Sequence, residues 1–366
     1  MTDYGFLIMK ILIIALIIAL IGISSIYSST YQKPAQPWRQ QIIWLILGVL
    51  FFVFMSNFNY RLLWGGVYFL YVLSVVLLLV VFILGTVRLG AQRWLRFAWF
   101  NFQPSELVKL IMVVFLSKYF SEKSTEDISQ PCVKFGIFRG LVLPLVFVAI
   151  PMGLIIEQPD LGSAMMILFI FIAIFYLAGV RLKYVMAFLL IIIGSFPLFW
   201  RMLRGYQKER LLVFLNPNID PLGAGYTLIQ SKIAIGSGGL FGKGWLYGTQ
   251  SQLHFLPESH TDFIFATLVE EWGLLGGSLL LLLYYLLIRE GFLIAQRTND
   301  YFGKLLAWGI SLMLGMQIFI NISMTMGLMP VVGLPLPLMS YGGSSLAVTF
   351  ISLGILVNID RRRTVF

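Results

Sequence analysis

Apolar stretches long enough to cross a bilayer recur from one end of this chain to the other, and nothing else in it limits the fold so severely. A spanning helix takes roughly 20 mostly apolar residues, because its backbone must satisfy its own hydrogen bonds where water is absent. Windows of that length place spans near residues 7 to 27, 40 to 57, 63 to 87, 105 to 121, 138 to 156, 162 to 180, 184 to 200, 263 to 288, 304 to 327 and 339 to 359. Of the 366 residues, 59% are hydrophobic and 11% charged, against about 25% charged in a soluble domain, so a soluble fold is excluded. The expectation is an all-α, polytopic integral membrane protein of about ten transmembrane helices, forming one domain over 1–366. A large loop, about 201–262, separates the seventh span from the eighth. The first apolar run, Phe6 to Ile26, exceeds the core of about 7 to 15 residues typical of a cleaved signal and is expected to stay as a helix.

A net charge of +10 invites a nucleic-acid reading, but Lys and Arg are dispersed among the connections rather than gathered on one segment. No nucleic-acid partner is expected; membrane orientation and anionic lipid account for the charge. Cys132 is the only cysteine, which excludes an internal disulfide, and no Cys/His cluster has metal-ligand spacing. Positive charge in short loops sets orientation. One set of connections and the C-terminal tail carries Arg61, Lys118, Lys123, Lys134, Arg139, Arg181, Lys183, Arg289, Arg297, Lys304, Arg361, Arg362 and Arg363, whereas the other short loops carry only Lys33, Arg39, Arg88, Arg93 and Arg96. Both termini are thus expected in the cytoplasm and the long loop outside. The unusual polar strings then fall at the outer ends of the spans: Arg93-Trp94 as a loop, Gln103-Pro104-Ser105-Glu106, Glu157-Gln158-Pro159-Asp160, the 201 to 261 segment, His260-Thr261-Asp262 and Ser340-Tyr341-Gly342-Gly343. Chemistry is expected on that extracytoplasmic side.

Glu106 and Lys109 lie three apart near the start of the fourth span, so they share a helical face and can pair. A lysine inside the membrane costs roughly 2.5 to 3.5 kcal/mol if unpaired. An ion pair locking two helices meets that need, and so does a pair lining a polar cavity. The 201 to 261 segment is longer than the roughly 12 to 15 residues of a mere connection, and it interleaves apolar and aromatic residues with Arg210, Lys232 and Lys243. It fits a segment lying on or dipping into the interface, with an amphipathic turn or two around Leu228 to Ile233, and equally a folded cap over the helix ends. Within it, Gly236 to Gly244 fails the P-loop pattern, because Ser237 stands where Gly is required and Gly244 where Ser or Thr is required. A tight glycine turn is expected there, with amides that can still meet a phosphate.

The sharpest signal is Asp262 in FLPESHTDFIF, an acid at the mouth of the eighth span. A carboxylate there meets a reduced dielectric, which raises its basicity while it stays reachable from outside; an Asp at a helix start is also an ordinary N-cap. Glu270 and Glu271, about two turns on, are expected to face the bundle interior. Ser340 to Ser345 opens the last span after Pro335 and Pro337, where small residues allow close helix approach and packing outweighs substrate contact.

The strings GAQRWL at 90–95, FQPSELVKL at 102–110, QPDLG at 158–162, the run from DPLGAGYTLIQ to HTDFIFA at 220–266, and GLPLPLMSYGGSS at 333–345 resemble the SEDS family (shape, elongation, division and sporulation) of RodA, FtsW and SpoVE. The short tails and the QSQL stretch leading into FLPE are more similar to its elongation branch, RodA, than to FtsW. The resemblance implies a ten-helix glycosyltransferase of the bacterial cytoplasmic (inner) membrane. Such an enzyme polymerises lipid II into glycan strands beside a class B penicillin-binding protein and other elongation-complex proteins. By motif, the essential acid falls on Asp262 and the cavity pair on Glu106 and Lys109. The implied reaction is attack by an acceptor 4-hydroxyl on the anomeric carbon of a donor whose leaving group is undecaprenyl pyrophosphate. A sugar hydroxyl is too weak an acid to ionise first, so a carboxylate must take its proton as the bond forms. The departing pyrophosphate needs positive charge from Arg93, Lys109, Arg210, Lys232 or Lys243, or from a divalent cation such as Mg or Mn. Trp94, His260, Ser340 and Tyr341 complete the expected substrate cavity. A flippase of lipid-linked precursor is the alternative reading, since a polar cavity among ten helices also serves alternating access, although neither paired half-helices nor repeats are visible. A catalytically silent scaffold is the third.

Overall fold

Away from water only bonding between residues four apart satisfies every amide and carbonyl within one segment, so the apolar runs fold as helices. The computed structural model describes residues 3–31, 36–88, 91–96, 100–124, 138–180, 182–195, 197, 200, 201, 203, 205–223 and 225–362. Helices α1 (Asp3–Thr30), α2 (Pro37–Asn57), α3 (Arg61–Leu84), α4 (Pro104–Ser124), α5 (Leu143–Glu157), α6 (Leu161–Leu177) and α7 (Leu182–Gly194) lie at the first seven expected spans. The long loop contributes the short helices α8 (Gly205–Leu215), α9 (Tyr226–Ser237) and α10 (Thr249–Gln252). Helices α11 (Ile264–Arg297), α12 (Tyr301–Thr325) and α13 (Gly343–Arg362) complete the bundle. Among the described residues seven helices are long and apolar enough to cross a membrane: α1, α2, α3, α5 with the turn before it, α11, α12 and α13. Of the other three, α6 and α7 are shorter apolar helices, and α4 carries Glu106, Lys109, Lys118 and Glu122 along its 21 residues. The chain is an all-α polytopic membrane protein. Of those seven, α12 and α13 are the most enclosed; α4 is buried along nearly its whole length and packs against α3, α6 and α12.

Several boundaries depart from expectation for local reasons. The Arg93-Trp94 string is not a loop but strand β2 (Ala91–Arg96), paired antiparallel with β1 (Thr86–Arg88) and β3 (Asn101–Phe102), so the third helix stops at Leu84. The last helix starts at Gly343, because Pro335 and Pro337 hold the preceding turn out of helix. The eighth span runs on to Arg297 and is broken at Gly273, whose φ of 68° and ψ of −165° only glycine adopts readily. The expected glycine turn fills that break. Lys243 and Gly244 donate their N–H groups to the Glu270 and Glu271 carbonyls (3.0 Å each), and Leu274 and Leu275 donate theirs to the Gly239 and Leu240 carbonyls (2.9 and 3.2 Å). A Cβ on Gly273 would stand 2.3 Å from the Gly242 nitrogen, so the two backbones meet only because both residues are glycine.

Candidate functional site

Asp262 lies between α10 and α11, half-buried, and it caps nothing: the N-cap of α11 is Phe263, with no side-chain cap hydrogen bond. The N-cap alternative is thereby overturned. The segment is held from behind. Asn321 of α12 donates its amide to the Asp262 carbonyl (2.9 Å) and to the Leu334 carbonyl (2.7 Å). Ser340 donates to the Thr261 carbonyl (2.6 Å) while accepting from the Leu336 N–H (2.8 Å). The Tyr341 N–H donates to the His260 carbonyl (2.9 Å), and the two rings lie 5.8 Å apart. Ser340, Tyr341 and His260 thus clamp the backbone of the acid-bearing segment. Among the described residues no donor reaches the Asp262 carboxylate itself. Removal from water is the main reason its pKa rises from 3.8 to about 6; the Glu258 carboxylate pushes the same way, the Arg210 and Arg93 guanidiniums oppose it, and Asp160 adds a smaller upward push.

Arg93 projects from β2 into the Gln158-Pro159-Asp160 turn. Its Nε donates to the Gln158 carbonyl (3.3 Å), its Nη2 to the Pro159 carbonyl, and its Nη1 stands 3.8 Å from Asp160. Asp160 caps α6 through the Ser163 N–H (3.2 Å), and also accepts from the Ser163 hydroxyl (2.9 Å), Gln103 (3.3 Å) and Ser105 (3.3 Å). Strings far apart in the chain therefore form one network whose charges reach Asp262. Asp160 is the site residue that reading the sequence missed; QPDLG marked it, but only the fold shows which charges it faces. Trp94 follows on β2, half-buried, its carbonyl accepting from the Thr86 hydroxyl (3.3 Å).

Glu106 and Lys109 pair at 2.9 Å, 2% and 1% exposed, and Lys109 also donates to Gln317 (2.8 Å), whose amide donates to the Pro335 carbonyl (2.9 Å). The pair joins α4, α12 and the proline turn that backs the acid. Exposed Arg210 donates to the Val331 carbonyl (3.2 Å) beside a largely apolar cavity of about 790 Å³ lined by Pro197, Trp200, Leu211, Phe214, Leu215 and Pro330, with Arg201 as its one charged residue. Of the five basic residues expected to meet pyrophosphate, Arg93 and Arg210 are those with the largest effect on Asp262. Lys232 instead lies over Gly327 at the C-terminal end of α12, where a helix dipole favours a cation. Lys243 is held by Glu270 (2.8 Å) and the Thr249 hydroxyl (2.7 Å), and the amides of Gly242, Lys243 and Gly244 donate to carbonyls. Among the described residues no three His, Cys, Asp or Glu side chains form a metal-holding group.

Glu270 does more than face inward. Fully buried, it accepts from Lys243, from the Thr249 hydroxyl (3.1 Å), from the N–H groups of Gln250 (2.9 Å) and Ser251 (3.3 Å) and from the Ser251 hydroxyl (3.4 Å), which makes it the N-cap of α10 supplied by another helix. Glu270→Gln sets an amide's own donors against those groups and is expected to cost about 1.5 to 3 kcal/mol, visible as a lowered thermal midpoint in detergent. Glu271 accepts from Ser28 at the end of α1, and Gln252 of α10 donates to the same hydroxyl (2.9 Å).

Residues 4–365 match the family model described as cell cycle protein, FtsW/RodA/SpoVE. The peptidoglycan glycosyltransferase MrdB of Escherichia coli K12 is 42% identical over 320 residues, covering 87% of this chain and 84% of that protein. The peptidoglycan glycosyltransferase RodA of Treponema pallidum is 31% identical, covering 99% and 98%. A solved chain from a peptidoglycan synthase complex that coordinates polymerization and crosslinking superposes with a TM-score of 0.80 at 31% identity over 97% of both chains, and the rod shape determining protein RodA of Thermus thermophilus with 0.71 at 28% over 97% of both. A match over almost the whole length, in sequence and in fold, makes this chain a member of the FtsW/RodA/SpoVE family.

Proposed function

We propose that the chain is a peptidoglycan glycosyltransferase that polymerises lipid II into glycan strands during cell elongation, with Asp262 as the general base. One observation carries this reading: a half-buried carboxylate, free of hydrogen-bond donors among the described residues, with a pKa near 6 and two arginines acting on it. Such a group is ionised at neutral pH yet basic enough to accept a proton as the acceptor 4-hydroxyl attacks the donor anomeric carbon. The new glycosidic bond forms as the bond to undecaprenyl pyrophosphate breaks; the hydroxyl proton goes to Asp262 and the electron pair leaves with the pyrophosphate. Arg93 and Arg210 supply the positive field that the departing oxygens require. The apolar cavity beside Arg210 offers a path for a polyprenyl chain. The excess of Lys and Arg in one set of short loops supports an orientation with both termini in the cytoplasm and Asp262 outside, where a class B penicillin-binding protein would crosslink the strands. The break in α11 is closed by the glycine turn near one end of the bundle, unlike the midplane half-helices of alternating access, which supports polymerisation over flipping.

The test is strand formation from purified lipid II as a function of pH. kcat/KM is expected to fall tenfold per pH unit below about 6, as the base becomes protonated. Arg210→Gln removes a charge that favours the ionised form, so its acidic limb is expected at higher pH. An acidic limb that stays in place in this variant would separate Asp262 from the rate.

A further inference from the structure

Helices α1 and α11 run antiparallel and are tied at two levels, by Lys10 with Glu290 and by Ser28 with Glu271. On α1 those levels are eighteen residues apart, roughly 27 Å at 1.5 Å per residue, close to the roughly 30 Å hydrocarbon thickness of a bilayer. Lys10, Glu290 and the half-exposed Arg289 mark one boundary. At the other, Tyr27 is ringed by Tyr31, Trp38 and Trp245, with centroids 6.2, 5.5 and 5.9 Å away. Aromatic belts occupy that depth.

The glycine turn reaches past this second boundary into the span. Gly244 pairs with Glu271 at the boundary, whereas Gly239 and Leu240 pair with Leu274 and Leu275, roughly 5 Å further in. At the tip Leu240 and Phe241 are 60% and 79% exposed, continuous with Leu274 and Leu275 at 56% and 58% on the apolar outer face of α11. Part of the turn's backbone is satisfied within the protein, which lowers the cost of leaving water: its amides at Gly242, Lys243 and Gly244 and its carbonyls at Gly238, Gly239 and Leu240 are paired.

We propose that residues 238–244 form a re-entrant wedge whose tip, Leu240 and Phe241, is seated among lipid acyl chains in the leaflet at the Asp262 end of the bundle. Lys243 and Glu270 join the wedge to α10, so it sets the depth of the acid-bearing loop relative to the bilayer. The test is independent of the catalytic reading. A nitroxide is placed at Phe241→Cys, and separately at Leu240→Cys, in a Cys132→Ser background in phosphatidylcholine and phosphatidylglycerol vesicles. Collisions with molecular oxygen are expected to exceed those with a water-soluble nickel chelate several-fold at both tip positions, and the order is expected to reverse at Glu258→Cys. Tip labels that prefer the chelate overturn the proposal, and so do tip labels shielded from both reagents, as a protein contact would make them.

Discussion

Asp262→Asn is expected to reduce strand formation from purified lipid II by roughly 100-fold to 10,000-fold, the span attributed to a positioned acid or base, and to leave the folded chain more stable. The amide keeps the shape but cannot accept the hydroxyl proton, and no donor among the described residues is left stranded by the change. The stability effect follows from the direction of the pKa shift. A carboxyl whose folded pKa of about 6 exceeds its ordinary 3.8 binds its proton more tightly in the folded state. Its contribution to stability is full below 3.8 and is lost as pH rises through 6, so at neutral pH the ionised group costs up to about 3 kcal/mol, less whatever solvent screens. Asparagine removes that cost. Thermal unfolding in detergent at pH 7 is expected to show a raised midpoint for Asp262→Asn, with the difference vanishing near pH 4. A variant that lost activity and stability together would assign Asp262 to the scaffold.

Glu106→Ala carries the largest expected loss of stability, about 3 to 5 kcal/mol, because it leaves the ammonium of Lys109 buried without its carboxylate. The remaining bond to Gln317 cannot replace a neutralising charge. The paired change Glu106→Leu with Lys109→Met removes both ions at similar volume, and is expected to recover most of that loss apart from the acceptor of Gln317. Yield and thermal midpoint in detergent check both variants. The double variant also decides the pair's role: strand formation at the wild-type rate would make the pair a lock between α4 and α12, whereas a folded but inactive protein would show that its charge acts on substrate.

Reading the chain alone goes furthest where the bilayer dictates the answer. Each of the ten expected spans coincides with a helix, because a membrane allows little else to an apolar run of that length. Boundaries fail where a local backbone choice intervenes, at β2 after α3 and at Gly273 within α11. The hydropathy of α11 is continuous across its break, so no window can sense that a glycine turn from elsewhere completes the backbone pairing there.

The candidate site divides the same way. Spacing along one helix is enough to pair Glu106 with Lys109, since residues three apart share a face. It is also enough to single out Asp262 as an acid beside a span. It cannot tell Arg93 and Arg210 from Lys243, because nothing local records that Glu270 is within 2.8 Å of the lysine or that Arg93 meets the turn at Asp160. Nor could it tell whether Asp262 caps the helix, which turned on Phe263 being the cap and on Asn321 and Ser340 holding the backbone from other helices. Order, composition and periodicity determine which segments leave water, since that depends on each segment's own atoms. Which charges meet, and how strongly a carboxylate holds its proton, depend on distances between segments, and only the packed bundle sets those.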